Sequence, residues 1–198
     1  ARKFDPDIVY LTHPNQFEKF DNNYKGKVIY DCMDYHTAFI TENNEQQRIK
    51  KLETKLIARA DLILVSSERL LSNLLKDYQE VLDESKIEVV RNGYNGDVLD
   101  VPAEKRKAKK YVLAYVGTIS HWFDFDILLK SLKDFKNIEY RLIGPVSGVT
   151  IPENERIKYV GSVDHKDIYS NIKDAHALIM PFKLNDIVEA VDPVKLYE

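Results

Sequence analysis

The chain is poor in the features that would fix a function at once. It has one cysteine, Cys32, so no disulfide can form within it; a lone thiol fits a reducing compartment. No His–Asp partner pattern accompanies Cys32, which reads as a buried thiol. No apolar run approaches the roughly 18 residues of a membrane span, and no signal peptide is visible. Charge of neither sign prevails: 29 basic and 32 acidic residues leave a net charge of −3, which gives no electrostatic case for nucleic acid. What is present is ordinary for a soluble globular chain, with 44% hydrophobic and 31% charged residues. The 198 residues allow one large or two small domains.

Short apolar runs alternate with amphipathic stretches. Residues 7–13, 28–31, 62–65 and 86–90 read as strands, the first of them apolar enough to be buried on both faces. Between them, Ile49, Leu52, Leu56 and Ile57 mark a helix over 45–59, with Lys50, Lys51, Glu53 and Lys55 as its solvated face. Ser66-Ser67-Glu68 starts another helix, which carries Leu70, Leu71, Leu74, Leu75 and Tyr78. Residues 102–110 are charged, lack an apolar period and read as a linker. The alternation then restarts, with strands at 111–116, 138–143, 156–160 and a buried one at 176–180, and helices at 125–135 and 164–174. This order predicts an α/β fold of two Rossmann-like lobes with parallel sheets: 1–101, then 102–110 as linker, then 111–198.

Ligands of open α/β sheets bind beyond the carboxyl ends of the strands. In the second lobe those ends carry Gly117-Thr118, Gly144-Pro145, Gly161-Ser162 and Pro181-Phe182-Lys183. Asp192-Pro193 reads as the start of a helix holding Val194, Lys195, Leu196 and Glu198, because proline suits the first turn and aspartate the cap. Lys183 and Lys195 can hold a diphosphate, and the acceptor-only carboxylate of Glu198 can take ribose hydroxyls. The alternative is a loop lysine and an i,i+3 surface pair. Two further clusters stay open: His121-x-x-Asp124-x-Asp126 is a set of metal ligands or a helix cap, and Asp31, Asp34 and His36 do acid–base work or bond turn backbone.

Three stretches carry a resemblance: Tyr115-Val116-Gly117-Thr118-Ile119-Ser120-His121-Trp122-Phe123-Asp124, then Leu142-Ile143-Gly144-Pro145 with Tyr159-Val160-Gly161, then Pro181-Phe182-Lys183 through Asp192-Pro193-Val194-Lys195-Leu196-Tyr197-Glu198. They resemble the donor-binding lobe of retaining, nucleotide-sugar-dependent glycosyltransferases of the GT-B fold, in particular a group 1 subgroup common in capsule and cell-surface polysaccharide synthesis. Asp31-Cys32-Met33-Asp34, 60–70 and Val90-Arg91-Asn92-Gly93 resemble the later part of the acceptor lobe.

The resemblance implies two GT-B lobes, both incomplete, and sugar transfer from a nucleoside diphosphate donor to a saccharide or lipid-linked acceptor with retention. It implies no metal and no cofactor, and places Gly117-Thr118 by the diphosphate, Lys195 near the phosphates, and Glu198 on the ribose. The family's first glutamate would stand eight residues before Glu198, where this chain has Ala190. Asn185, Asp186 or Glu189 are the candidates to take its place; these three and Asp192 are the candidates for donor-sugar contact, and His13, Asp34, His121 and Trp122 for the cleft. The basic residues usual after the first strand of this lobe are replaced by His121-Trp122. The chain starts at Ala1 and stops within a predicted helix, so the expectation is an excised piece of a cytoplasmic enzyme, inactive or nearly so by itself, with peripheral association at the inner membrane face through missing segments. A non-catalytic nucleotide- or sugar-phosphate-binding module is the alternative reading. A receiver-like domain built on Asp31 and Asp34 does not suit the two-lobe pattern.

Overall fold

A computed structural model of the chain describes residues 6–21, 23–40, 42–94 and 108–196. They form a mixed α/β structure with two parallel four-stranded sheets. The chain divides into two compact units, the first made of Ala1–Val98 together with Asn185–Glu198 and the second of Leu99–Leu184. The linker expected at 102–110 lies, up to residue 107, outside the described residues.

In the first unit, strands β1 (Ile8–Leu11), β2 (Lys27–Cys32), β3 (Leu62–Val65) and β4 (Ile87–Val89) lie in that spatial order. Helices α1 (Asn43–Arg59) and α2 (Glu68–Asp77) connect them. Alternate residues of a strand face one side, and here Val28, Tyr30 and Cys32 of β2 join Ile63 and Val65 of β3 in one core with Leu56, Ile57, Leu70 and Leu74. Ser67 starts α2 as expected: its Oγ accepts the Leu70 amide at 3.0 Å. β1 was expected to be buried on both faces. Instead Ile8 and Tyr10 are more than half exposed, because β1 pairs only with β2 and ends the sheet among the described strands.

The second unit orders its strands β7 (Ile157–Gly161), β6 (Ile138–Ile143), β5 (Tyr111–Val116) and β8 (Ala177–Leu178). Helix α3 (Phe125–Asp134) packs Leu128 and Leu132 against Tyr115, Tyr140 and Leu142. Asp124 caps it, accepting the amides of Asp126 and Ile127 at 3.0 and 3.1 Å, which decides between the cap and metal-ligand readings in favour of the cap. A short helix, α4 (Ile168–Ile172), precedes β8. The buried strand expected at 176–180 is a two-residue edge strand with both residues exposed. An apolar run at a sheet edge has a neighbour on one side only, and sequence does not distinguish it from a central strand.

Candidate functional site

The carboxyl end of the second unit's sheet is built on glycine. Gly117 and Gly144 follow β5 and β6, and Gly161 is the last residue of β7, with φ of 145°, 133° and 92°, a region that L side chains rarely adopt. Hydrogen bonds set them side by side: the Gly117 amide donates to the Ile143 carbonyl and the Gly144 amide to the Gly161 carbonyl, both at 2.8 Å. A Cβ on Gly144 would stand 2.2 Å from the Gly117 carbonyl oxygen, so this crossing of backbones excludes any side chain. Two tyrosines hold the rim. Tyr159 donates to the Gly144 carbonyl at 3.0 Å and Tyr115 to the Thr118 carbonyl at 2.8 Å. Glycine lets a ligand approach the main chain closely, and ligands of open α/β sheets bind beyond the carboxyl ends of the strands.

The exit of β8 is laced to the loop between β5 and α3. The Lys183 amide donates to the Trp122 carbonyl at 2.8 Å, and the Asp124 amide to the Pro181 carbonyl at 2.7 Å. The Tyr115 ring packs edge-on against Phe123 and Phe182, and His121 packs edge-on against Trp122. Trp122 and Lys183 are thus joined through backbone, with the Lys183 side chain exposed. Among the described residues Lys183 makes no ion pair.

Residues 185–196 pack with the first unit. The polar loop expected there contains a helix, α5 (Asp186–Ala190), whose cap is the Asn185 side chain accepting the Val188 amide at 3.0 Å. Ala190 is fully buried in the first unit's core, and Ser67 donates to its carbonyl at 2.6 Å. Glu189 pairs with Arg69 at 3.2 Å. The carboxylate of Asp192 accepts the Asn92 amide at 2.7 Å, and the Asn92 side chain donates back to the Asp192 carbonyl at 2.6 Å. After Pro193 the chain makes a 3-10 turn over Val194–Leu196, not the α-helix expected from Pro193. Lys195 is exposed in it. Tyr197, Glu198 and the Asp186 side chain lie outside the described residues.

No protein-family model matches the chain. Over 190 residues it is 25% identical to a protein named as a teichuronic acid biosynthesis glycosyltransferase, TuaH of Bacillus subtilis strain 168, covering 87% of this chain and 47% of that one. The chain therefore spans about half the length of the curated relative it matches. Among solved structures it resembles HepE of Anabaena in complex with UDP, with a TM-score of 0.59 at 14% identity over 87% of this chain and 52% of that one. It also resembles the lipopolysaccharide outer core galactosyltransferase WaaB in its apo form, with a TM-score of 0.60 at 15% identity over 92% of this chain and 52% of that one. The chain has the GT-B glycosyltransferase fold.

Within this GT-B chain, the first unit gathers a second polar cluster at the ends of β1 and β2. His13 Nδ1 accepts the Asn15 amide at 3.1 Å and caps the 3-10 turn Pro14–Lys19. Its ring lies 4.6 Å from that of His36. His36 Nε2 is buried and has no hydrogen-bond partner among the described residues; burial first, and His13 beside it, depress its pKa to about 4. Burial also raises the pKa of Asp34.

Glu53 was expected on the solvated face of α1 and is 1% exposed. Its place four residues after Ile49 and three before Leu56 sets it on the apolar stripe, and that spacing was the available signal. Tyr30 and Tyr78 each donate to it at 2.5 Å. Burial raises its pKa, against the opposing pull of those donors. Cys32, His36 and Glu53 offer metal-ligand atoms within 4.8 Å of one another. Two of them are engaged otherwise: Glu53 holds both tyrosines, and the Cys32 thiol, pushed up by burial, lies 3.4 Å from the Asp34 carbonyl.

Proposed function

We propose that this chain belongs to a glycosyltransferase that moves a sugar from a nucleoside diphosphate donor to a saccharide or lipid-linked acceptor, with retention at the anomeric carbon, in surface polysaccharide or glycoconjugate synthesis. The observation that carries the proposal is the row of positive-φ glycines at the ends of β5, β6 and β7, with its exclusion of a side chain at Gly144. The TuaH match and the likeness to UDP-bound HepE support it.

In this reading Gly117 and Thr118 lie by the donor diphosphate. Lys183 and Lys195 compensate its charge, because no arginine follows β5. Glu198 takes the ribose hydroxyls, and Val194 and Leu196 flank Lys195 in the turn. The resemblance assigns His121, Trp122, His13 and Asp34 to the cleft. The chemistry requires no metal, since the departing phosphate can itself take the acceptor's proton. In this reading the enzyme acts in the cytoplasm, at the inner face of the membrane.

Ala190 also favours a second reading. Its full burial leaves no room for the carboxylate that the resemblance places there, and Glu189 and Asp192 are engaged by Arg69 and Asn92. A binding module without transferase activity would need no such carboxylate. A thermal-shift screen against UDP-, GDP- and ADP-sugars tests donor binding, since a ligand of the native state raises Tm by mass action. Turnover of the sugar that binds then separates enzyme from module: transfer or donor hydrolysis supports the first reading, and binding without either supports the second.

A further inference from the structure

We propose that Asn92 and Asp192 are positioning residues, whose reciprocal hydrogen bonds hold in place the turn that carries Lys195. The inference rests on the donor reading above, in which Lys195 meets the diphosphate.

Asp192 is a carboxylate only 7% exposed, and burying such a group is costly unless its bonds are good. Here it accepts a backbone amide at 2.7 Å, a charge-assisted bond. Asn92 returns a bond from its side-chain amide to the Asp192 carbonyl at 2.6 Å. The two residues are 100 positions apart in sequence, and neither lies in a strand or helix, so these bonds belong to no secondary-structure ladder. They join the exit of β4 to the residue immediately before Pro193.

The surrounding anchors locate the effect. Ala190 is fixed in the core and Glu189 is tied to Arg69, so the chain is held up to Asp192. Beyond it, Val194 and Leu196 are 45% and 63% exposed. The described side chains of the turn therefore pack little against the unit. The last fixed point before Lys195 is the Asn92–Asp192 pair. Removing it frees the origin of the turn while leaving the Ala190 core contact intact, which is how a residue acts on a ligand through another residue.

The test is calorimetric titration of the full chain with UDP, GDP and ADP, with Tm measured in parallel, for the wild type and for Lys195→Ala, Asp192→Ala, Asp192→Asn and Asn92→Ala. The expected result is that Lys195→Ala and Asp192→Ala each weaken the nucleotide that binds by about tenfold. The double variant should be no weaker than either single one by more than about twofold, because both changes remove one interaction. Asp192→Asn keeps an oxygen for the Asn92 amide and should recover most of the affinity. Asn92→Ala should behave as Asp192→Ala does. A fall in Tm with unchanged nucleotide affinity in both Asp192→Ala and Asn92→Ala would overturn the positioning role while Lys195→Ala still weakens binding. If no nucleotide binds the wild type, or Lys195→Ala has no effect, the donor reading fails and the inference falls with it.

Discussion

Replacing Glu53 probes the centre of the first unit. Its two carboxylate oxygens receive Tyr30 and Tyr78 hydroxyls at 2.5 Å each, tying α1 to β2 and to the end of α2. Glu53→Ala strips both donors of their acceptor inside a core, at about 1–3 kcal/mol for each unsatisfied group, and leaves a cavity besides. The expected loss is about 3–6 kcal/mol, against the ~5–15 kcal/mol that holds a domain folded. Tyr78→Phe is the milder companion, with an expected loss of about 1–2 kcal/mol.

The pH dependence of this effect has a definite sign. Burial raises the Glu53 pKa above its ordinary value, so folding favours the protonated acid. Its contribution is fully present below the unfolded pKa and is lost as pH rises through the folded one. Glu53→Gln has no proton to lose, so the difference between wild type and this variant should shrink as pH rises. Native-state hydrogen exchange on the amides of β2 and α1 reads the first unit directly, whereas Trp122 fluorescence reports on the second. A loss below about 1 kcal/mol in Glu53→Ala, or a wild-type-to-Gln difference that does not change with pH, would refute the buried-acid account.

Three further outcomes follow from local geometry. Gly144→Ala forces a Cβ to 2.2 Å from the Gly117 carbonyl at a φ of 133°; it should destabilise the second unit by more than about 2 kcal/mol, seen as a lower urea midpoint of Trp122 fluorescence. Asp124→Ala removes the cap of α3 and should cost about 1 kcal/mol by the same measurement. His36 has its pKa depressed to about 4 from an ordinary 6.5, so its share of stability is present above about 6.5 and lost as pH falls towards 4; His36→Gln should flatten first-unit hydrogen-exchange protection across that window.

The alternation of strands and helices was legible because buried strands and amphipathic helices impose their periods on the sequence, as Val28–Tyr30–Cys32 and Leu70–Leu74 show. The Ser67 and Asp124 caps were legible too, being set by neighbours within three residues. What stayed hidden depends on distant partners. Whether Ile8, Tyr10 and Leu178 face solvent depends on which strands end the sheets. Glu53 was read from its charge, although its position on the stripe of Ile49 and Leu56 decides its burial. Helix α5 was missed because five residues carry too little pattern, and its anchor is Ala190 entering a core more than a hundred residues earlier in the chain. Of the candidate site, the glycines at strand ends were readable, while the Gly117–Gly144 crossing and the Asn92–Asp192 pair required the fold.

Donor binding is tested most directly by calorimetric titration of the chain with UDP-, GDP- and ADP-sugars, repeated on Glu198→Ala. One nucleotide sugar should bind, and Glu198→Ala should weaken it with Tm of the free protein unchanged. Absence of binding by all three, or an affinity indifferent to Glu198→Ala, would contradict a nucleotide-sugar site with Glu198 on the ribose.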